Sequence, residues 1–355
     1  MPSLLLHDFH QAAGAAFLDV NSQQAVATYG DWQAEHAALH AAAGVLDLSF
    51  RSRLCLLGAD ALRFLNGQVT NNVKDLNIGQ GCYAALLSAK GKLQSDLNIY
   101  RLQNELLLDF EPGFSSAVTQ RLEEFVIADD VQIVDAAPHY GLWSVQGPKA
   151  AALLASVLPR TSLPQKPMAV SIVPDAAFGE IYIANHPRLG THGFDLFVPL
   201  PAMNAFAALW APAAAPLCGW QALETARVEA AIPRFGADMD ETNLASEALD
   251  TRAISYSKGC YIGQEVIARV RTYGQVAKTL RQLRLPADLQ ELPPSGAKLF
   301  LGQKQAGYIT TAVRSPLFQS IIALAYVRRE ADHPGADLAL ETPAGKISAQ
   351  IIPLA

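Results

Sequence analysis

Eight consecutive residues, Lys258-Gly259-Cys260-Tyr261-Ile262-Gly263-Gln264-Glu265, bring an ammonium, a thiol, a phenol and a carboxylate together around two glycines. Glycine allows backbone conformations that a Cβ forbids, so Cys260 and Tyr261 are expected on a tight turn. Beyond Gly263, Val266, Ile267 and Val270 follow helical spacing, with Glu265 and Arg269 at i,i+4 on the polar side. Cys260 then sits just before a helix start, where unpaired amides and the nearby Lys258 favour thiolate over thiol. A thiolate can ligate metal or do redox chemistry. The competing reading is a buried, inert thiol in a glycine-rich turn, the usual state of free cysteine.

Other carboxylates stand where chemistry is conceivable. Asp96 lies in Gly91-Lys92-Leu93-Gln94-Ser95-Asp96-Leu97, a strand-like run, and on residue type alone it could equally be a solvated strand residue. Glu229 lies on a helical pattern from Gly219 to Ala231, its neighbouring face made small by Ala222 and Ala226. A surface glutamate is the plain alternative. Asp238, Asp240 and Glu241 invite a calcium reading, but their spacing is not that of an EF-hand loop, and cap and loop roles suffice. His36 and His40 form an i,i+4 pair with no third ligand suggested nearby, so a solvated helix face is expected. No metal site is assigned.

Lys-Gly-Cys-Tyr-x-Gly-Gln-Glu resembles the signature of the YgfZ-type folate-binding family, relatives of the glycine-cleavage T-protein (aminomethyltransferase) that act in iron–sulfur cluster assembly and repair. T-proteins carry no cysteine at that place, so Cys260 is what separates the two branches. Gly91 to Leu97 is similar to the T-protein Gly-Gly-Ile-x-x-Asp-Leu strand, and the resemblance puts Asp96 on its catalytic aspartate. Tyr83, in Gly-Cys-Tyr, matches a tyrosine of the folate pocket. Arg227-Val228-Glu229-Ala230 resembles the run whose glutamate binds the pterin ring, and Ile232 to Glu241 resembles the segment after it. The resemblance thus implies tetrahydrofolate, or another reduced folate, as cofactor. It implies Cys260 and Asp96 as reactive residues, and Glu229, Tyr83, Arg227, Lys258 and Tyr261 as binding residues.

The chain as a whole is long enough for two or three domains, and 50% hydrophobic content is ample for their cores. With 27 Lys and Arg against 33 Asp and Glu, the net charge of −6 argues against general affinity for nucleic acid or anionic membranes. Cys55, Cys82, Cys218 and Cys260 form no Cys-x-x-Cys, which fits reduced thiols and a cytoplasmic setting. Cys55, within the apolar run Leu54 to Leu57, is expected to be inert. Residues 1–9 lack the pattern of a signal peptide, and no membrane span is expected.

To position these residues the chain needs a scaffold, and its punctuation suggests one. A helix is expected from Gly30 to Leu46, then strands to Leu57, Gly58-Ala59-Asp60, and a helix from Ala61. Strand, glycine turn and helix recur at Leu142 to Leu158 around Gly147-Pro148, with Asp60 and Pro148 suited to helix starts. Cys82 to Ser88 and Leu93 to Leu102 read as a hairpin, Leu106 to Phe110 as a strand, and Phe114 to Phe125 as a helix. Leu158 to Ala176 and Ala211 to Pro216, rich in Pro and Ala, read as connectors. After Arg271 six short strands alternate with turns, among them Gly302-Gln303 and Pro343-Ala344-Gly345. The expected fold is α+β: two intertwined ferredoxin-like units over 1–273 (roughly 1–48 with 135–273, and 49–134), followed by a small antiparallel β-barrel over 274–355.

The leading expectation is a tetrahydrofolate-binding protein of iron–sulfur cluster assembly or repair, working with assembly proteins or client enzymes. A single thiol cannot hold a cluster by itself, so contact with one would be transient, shared or indirect. The alternative is a folate-dependent aminomethyltransferase or demethylating one-carbon transferase, for which Asp96 speaks.

Overall fold

Each strand, glycine turn and helix forms as its residues dictate. Strand Ser52–Leu57 turns at Gly58 into helix Ala61–Gln68, and strand Tyr140–Gln146 turns at Gly147 into helix Ala150–Val157. Both glycines have positive φ, +108° and +120°, and a Cβ at Gly58 would lie 2.1 Å from the Asp130 carbonyl oxygen. Asp60 does not cap its helix as expected. Its Oδ2 accepts from the Asp130 amide while Asp130 Oδ2 accepts from Ala59, a reciprocal clasp that ties the turn to a neighbouring loop. Pro148 precedes the cap residue Lys149.

The computed structural model describes residues 3–249, 251–274, 276–333, 335–343 and 345–353. Contacts divide the chain into two units: Met1–Leu86, Ser95–Leu223 and Arg252–Tyr261 form the first, and Leu87–Gln94, Glu224–Thr251 and Ile262–Ala355 the second.

Two five-stranded sheets dominate the chain before the barrel. One runs Gln80–Leu87, Leu93–Arg101, Leu106–Phe110, Ser52–Leu57, Gln132–Asp135; the other runs Val170–Asp175, Gly179–Asn185, Gly193–Pro199, Tyr140–Gln146, Gly44–Asp47. Side chains alternate across a strand, so each sheet has two faces. Leu54, Leu56, Leu97, Ile99, Leu108 and Phe110 bury one face of the first sheet with Phe64, Leu65, Val118 and Leu122. In the second, Trp143, Val145, Ile183, Leu196 and Val198 pack with Leu154, Phe206 and Trp210. Each such side chain contributes about 1.5–3 kcal/mol by leaving water. The alternate positions, Asp96, Asn98, Tyr100 and Asp109 in one sheet and Ser144, Gln146 and Asp195 in the other, are polar.

Two expectations change here. The Gly30 to Leu46 helix stops at Ala41, and Gly44–Asp47 is a strand because Val45 and Leu46 find ladder partners in Tyr140–Gln146. The Leu158 to Ala176 connector contains Val170–Asp175, a strand at the sheet's edge, where Pro174 removes no ladder donor that a second neighbour needs. His36 is buried rather than solvated, its ring 4.4 Å from that of His40.

All six expected C-terminal strands form: Lys278–Leu285, Lys298–Leu301, Lys304–Ser315, Ser320–Arg328, Leu338–Thr342 and Gly345–Ile351 close into an antiparallel barrel. Closure leaves no sheet edge, and Leu283, Leu285, Ile309, Ala323, Ala325 and Leu340 are buried together. Thr342 pairs with Gly345 at the expected hairpin; Ala344 lies outside the described residues. The barrel shares its unit with the turn at Ser88–Gly91, which packs against Val266 of helix Gln264–Tyr273, and with Leu93, whose amide donates to Asn243. Among the described residues no helix is long and apolar enough to cross a membrane.

Candidate functional site

The hairpin brings Tyr83 and Asp96 together. The tyrosine hydroxyl donates to Asp96 Oδ2 at 2.8 Å, while Asp96 Oδ1 is buried and has no hydrogen-bond partner among the described residues. Burial and the neighbouring Glu111 push this carboxyl up to about 6, against the pull of Tyr83 and Arg51. A carboxyl poised there exchanges a proton near neutral pH, which is what general acid–base work requires.

Asp96 borders a buried polar layer that the two sheets of the first unit build from their non-apolar faces. Arg51 Nε donates to Asp109 Oδ1 at 2.8 Å and its Nη1 to Glu111 at 2.6 Å. Arg188 Nη2 donates to Asp109 at 2.8 Å and to Asp195 at 2.6 Å, so one guanidinium joins carboxylates of both sheets. Asn98 adds a donor to Asp109, and Ser144 adds one to Asp195. His186 Nδ1 lies 2.9 Å from Asp195 Oδ2 and 3.0 Å from the Tyr100 hydroxyl. Gln146 fixes the loop by donating to the His186 carbonyl and accepting from the Arg188 amide. Despite burial, the two guanidiniums hold Asp109 well below the usual carboxylate range, and Arg188 and His186 lower Asp195. Asp109, His186 and Asp195 have ligand atoms within 4.8 Å of one another, but Arg188 already balances both carboxylates.

None of these partners was anticipated from the sequence. The available signal was polar residues at every second position of otherwise apolar strands, in Asp96-Leu97-Asn98-Ile99-Tyr100 and Ser144-Val145-Gln146.

The Lys258 to Glu265 stretch forms its turn, with a different electrostatic logic from that expected. Lys258 Nζ donates to the carbonyls of Asn66, Val69 and Asn71 at 2.6, 2.7 and 2.7 Å, closing the C-terminal end of helix Ala61–Gln68. This corrects its expected role: the ammonium anchors a helix end, where a cation opposes the dipole. Burial holds its pKa down to about 8, and the thiol that it influences is that of half-buried Cys82. Tyr261 is buried, its ring centroid 5.0 Å from Lys258 Nζ. Gly263 begins helix Gln264–Tyr273 at φ +83°, where a Cβ would lie 2.7 Å from the Ser88 carbonyl oxygen; only glycine fits.

Cys260 is exposed, which excludes the inert core reading. Cys55 and Cys218 are buried, and burial raises both thiols; Cys82 is pushed up to about 12 by the same cause. Iodoacetamide at neutral pH is expected to modify Cys260 first in the native protein and the others only after denaturation, as read by peptide mass spectrometry. Equal labelling of Cys55 and Cys260 would refute this ordering.

In the second unit, Arg227 binds Asp238 and Glu224 and donates to the Ile232 carbonyl at 3.1 Å. Asp238 also accepts from the Thr310 and Thr311 hydroxyls, so Arg227 is spent on holding the 232–238 loop to the barrel strand Lys304–Ser315. Asp240 caps its own turn through Thr242, a loop role as expected. Glu229 is buried, and its Oε1 accepts from the Ser315 hydroxyl at 2.5 Å.

Tyr83 and Asp96 are thus joined directly, and Lys258 contacts Tyr261, while Arg227 and Glu229 have partners in their own unit. A cavity of about 470 Å³ in the first unit has none of the seven expected site residues in its wall.

The family model described as GCVT N-terminal domain matches residues 6–258, and that of the glycine cleavage T-protein C-terminal barrel domain matches residues 278–355. An aminomethyltransferase of Streptomyces avermitilis is 27% identical, covering 93% of this chain and 90% of that protein. That of Rubrobacter xylanophilus is 28% identical, covering 98% and 92%. A crystal structure of glycine cleavage system aminomethyltransferase T from Bartonella henselae superposes with a TM-score of 0.90 at 24% identity, covering 99% of this chain and 97% of that one, and so shows the same fold. The matched domains span nearly the whole sequence, and the chain belongs to the glycine-cleavage T-protein family.

Proposed function

We propose that this protein binds a reduced folate and transfers a one-carbon unit on it, as a folate-dependent aminomethyltransferase. The observation that carries this reading is Asp96. A buried carboxylate oxygen without a partner is unfavourable unless something donates to it, and Asp96 Oδ1 is in that state while Oδ2 is fixed by Tyr83. The ring nitrogens of a reduced pterin are suitable donors, so the residues present fit the group. The folate would supply the nitrogen that accepts the one-carbon unit.

The chain's own residues do the rest. Tyr83 orients Asp96, and the surrounding Glu111 and Arg51 set its proton affinity between them. Asp96 accepts or holds a proton at Oδ1 and, when ionised, stabilises positive charge beside it. Glu229 is expected from the resemblance to meet the pterin ring. Arg227 and Lys258 act instead by holding the segments that bear Glu229 and Cys260.

Titration calorimetry with folinic acid, alongside an assay for aminomethyl turnover to tetrahydrofolate, tests this. Saturable binding with turnover is expected, and absence of binding overturns the reading. Glu229→Ala is expected to weaken binding about ten- to a hundredfold, the cost of removing a buried charged acceptor.

Cys260 favours a second reading, a role in iron–sulfur cluster assembly or repair. It is exposed on the Lys-Gly-Cys-Tyr-x-Gly-Gln-Glu turn, where nothing in the transfer chemistry needs a thiol. Folate binding without turnover, together with loss of cluster-enzyme activity in a Cys260→Ala strain, would put this reading first. Normal cluster enzymes in that strain would remove it.

A further inference from the structure

The 470 Å³ cavity is within the size range of small-molecule sites, and its wall is rich in donors. Arg51 and Arg53 line it with Ser49, Ser52, Ser115 and Ser116; Asp135 is the one carboxylate on the wall. Arg51 spends its charge on Asp109 and Glu111. Arg53 does not. It is 1% exposed, it donates from Nη2 to the carbonyls of Ser49 and Tyr140, both cavity residues, and its Nε and Nη1 have no acceptor among the described residues. Asp109, Asp47 and Asp135 lie near enough to favour its charge, but none accepts a hydrogen bond from it, and two buried donors left without an acceptor are unfavourable unless something accepts from them. Burial lowers its pKa to about 10, which leaves it charged at neutral pH.

Helix Ser115–Glu123, nine residues long, begins on the same wall. Its cap residue, Phe114, makes no side-chain cap hydrogen bond, and its first turn holds no acid. The free amides and positive dipole end of such a helix start attract anions.

We propose that this cavity binds a small molecule bearing a phosphate monoester, at a site distinct from Asp96. Guanidinium, hydroxyl and helix-start amide groups all donate, and a phosphate offers three acceptor oxygens to such a mixed set. Leu4, Phe50 and Pro138 give the remainder of the molecule an apolar wall.

Isothermal titration of the full chain with glycerol 3-phosphate, inorganic phosphate and succinate tests the proposal. Saturable one-to-one binding of the phosphate ester is expected at millimolar concentration or below. Ser115→Glu should weaken it at least about tenfold by setting a carboxylate at the helix start. Arg53→Lys should weaken it comparably, since an ammonium lacks the planar set of donors. If Arg53→Lys does not fold, Ser115→Glu decides, because Ser115 is only half-buried and a helix start tolerates glutamate. No binding of either phosphate probe, or equal affinity in the wild type and Ser115→Glu, overturns the site. Tighter binding of succinate overturns the phosphate assignment, and displacement by folinic acid overturns its separateness.

Discussion

Replacing Asp96 with Asn is expected to cut one-carbon transfer by about 10²- to 10⁴-fold, the usual worth of a general acid–base group, and to weaken folate binding by the smaller amount that one lost acceptor is worth. Asn keeps a carbonyl oxygen to accept from Tyr83, so the hairpin geometry survives, while the charge is lost and an amide NH2 stands in place of the acceptor Oδ1. Wild-type activity should rise with pH through about 6 as Asp96 ionises, and that limb should vanish in the variant. Stability offers an independent check. A carboxyl raised from 3.8 to about 6 holds its proton more tightly in the folded than in the unfolded chain, so stability falls as pH climbs through that window and is flat above it. The interval corresponds to at most about 3 kcal/mol. Asp96→Asn abolishes this slope, and the variant should be at least as stable as the wild type at pH 7.5 and lose that advantage by pH 4. Urea midpoints at the two pH values decide: parallel slopes would mean that some other group carries the raised pKa.

The fold was legible wherever short-range pattern and final structure agree. The six barrel strands alternate and end at turn residues, so their existence was readable, whereas the pairing of Lys278–Leu285 with Ser320–Arg328 and Gly345–Ile351 was not, since both partners are distant in sequence. Gly58 and Gly147 marked the two strand-to-helix turns because their positive φ leaves a compositional trace. Gly44–Asp47 was concealed because only Ala42 and Ala43 separate it from the helix that ends at Ala41, and its strand character depends on a partner, Tyr140–Gln146, far along the chain. The Tyr83–Asp96 contact was readable as two arms of one hairpin. Lys258 shows the opposite case. Sequence proximity suggested that it serves Cys260, yet its three acceptors lie at residues 66, 69 and 71, which no spacing rule connects to it. The polar layer is of the same kind, since Arg51, Asp109, Arg188 and Asp195 meet only after two sheets have formed.

That layer makes Arg188 the residue whose loss should cost most. Arg188→Ala is expected to destabilise the protein by about 3–5 kcal/mol at neutral pH, because Asp109 and Asp195 are left ionised and buried without their shared cation. The sign of the pH dependence follows from the pairing. Both carboxyls are held below the ordinary range, so their contribution is present above about pH 4 in the wild type and fades only as pH falls further. In the variant the cation is gone, their proton affinities rise, and protonation can relieve the repulsion at milder acidity. His186 adds to this relief. Its imidazole is held down first by burial and then by Arg188, so removing the guanidinium lets it protonate more readily beside Asp195 Oδ2, 2.9 Å away. The deficit should therefore be largest near pH 7.5 and shrink towards pH 5, measured as the difference in urea unfolding free energy. Arg188→Lys should fall between the two proteins, because one ammonium cannot reproduce the fork that reaches both carboxylates. A deficit below about 1 kcal/mol, the scale of an exposed ion pair, or one that does not change with pH, would mean that the buried carboxylates do not depend on Arg188 for their charge.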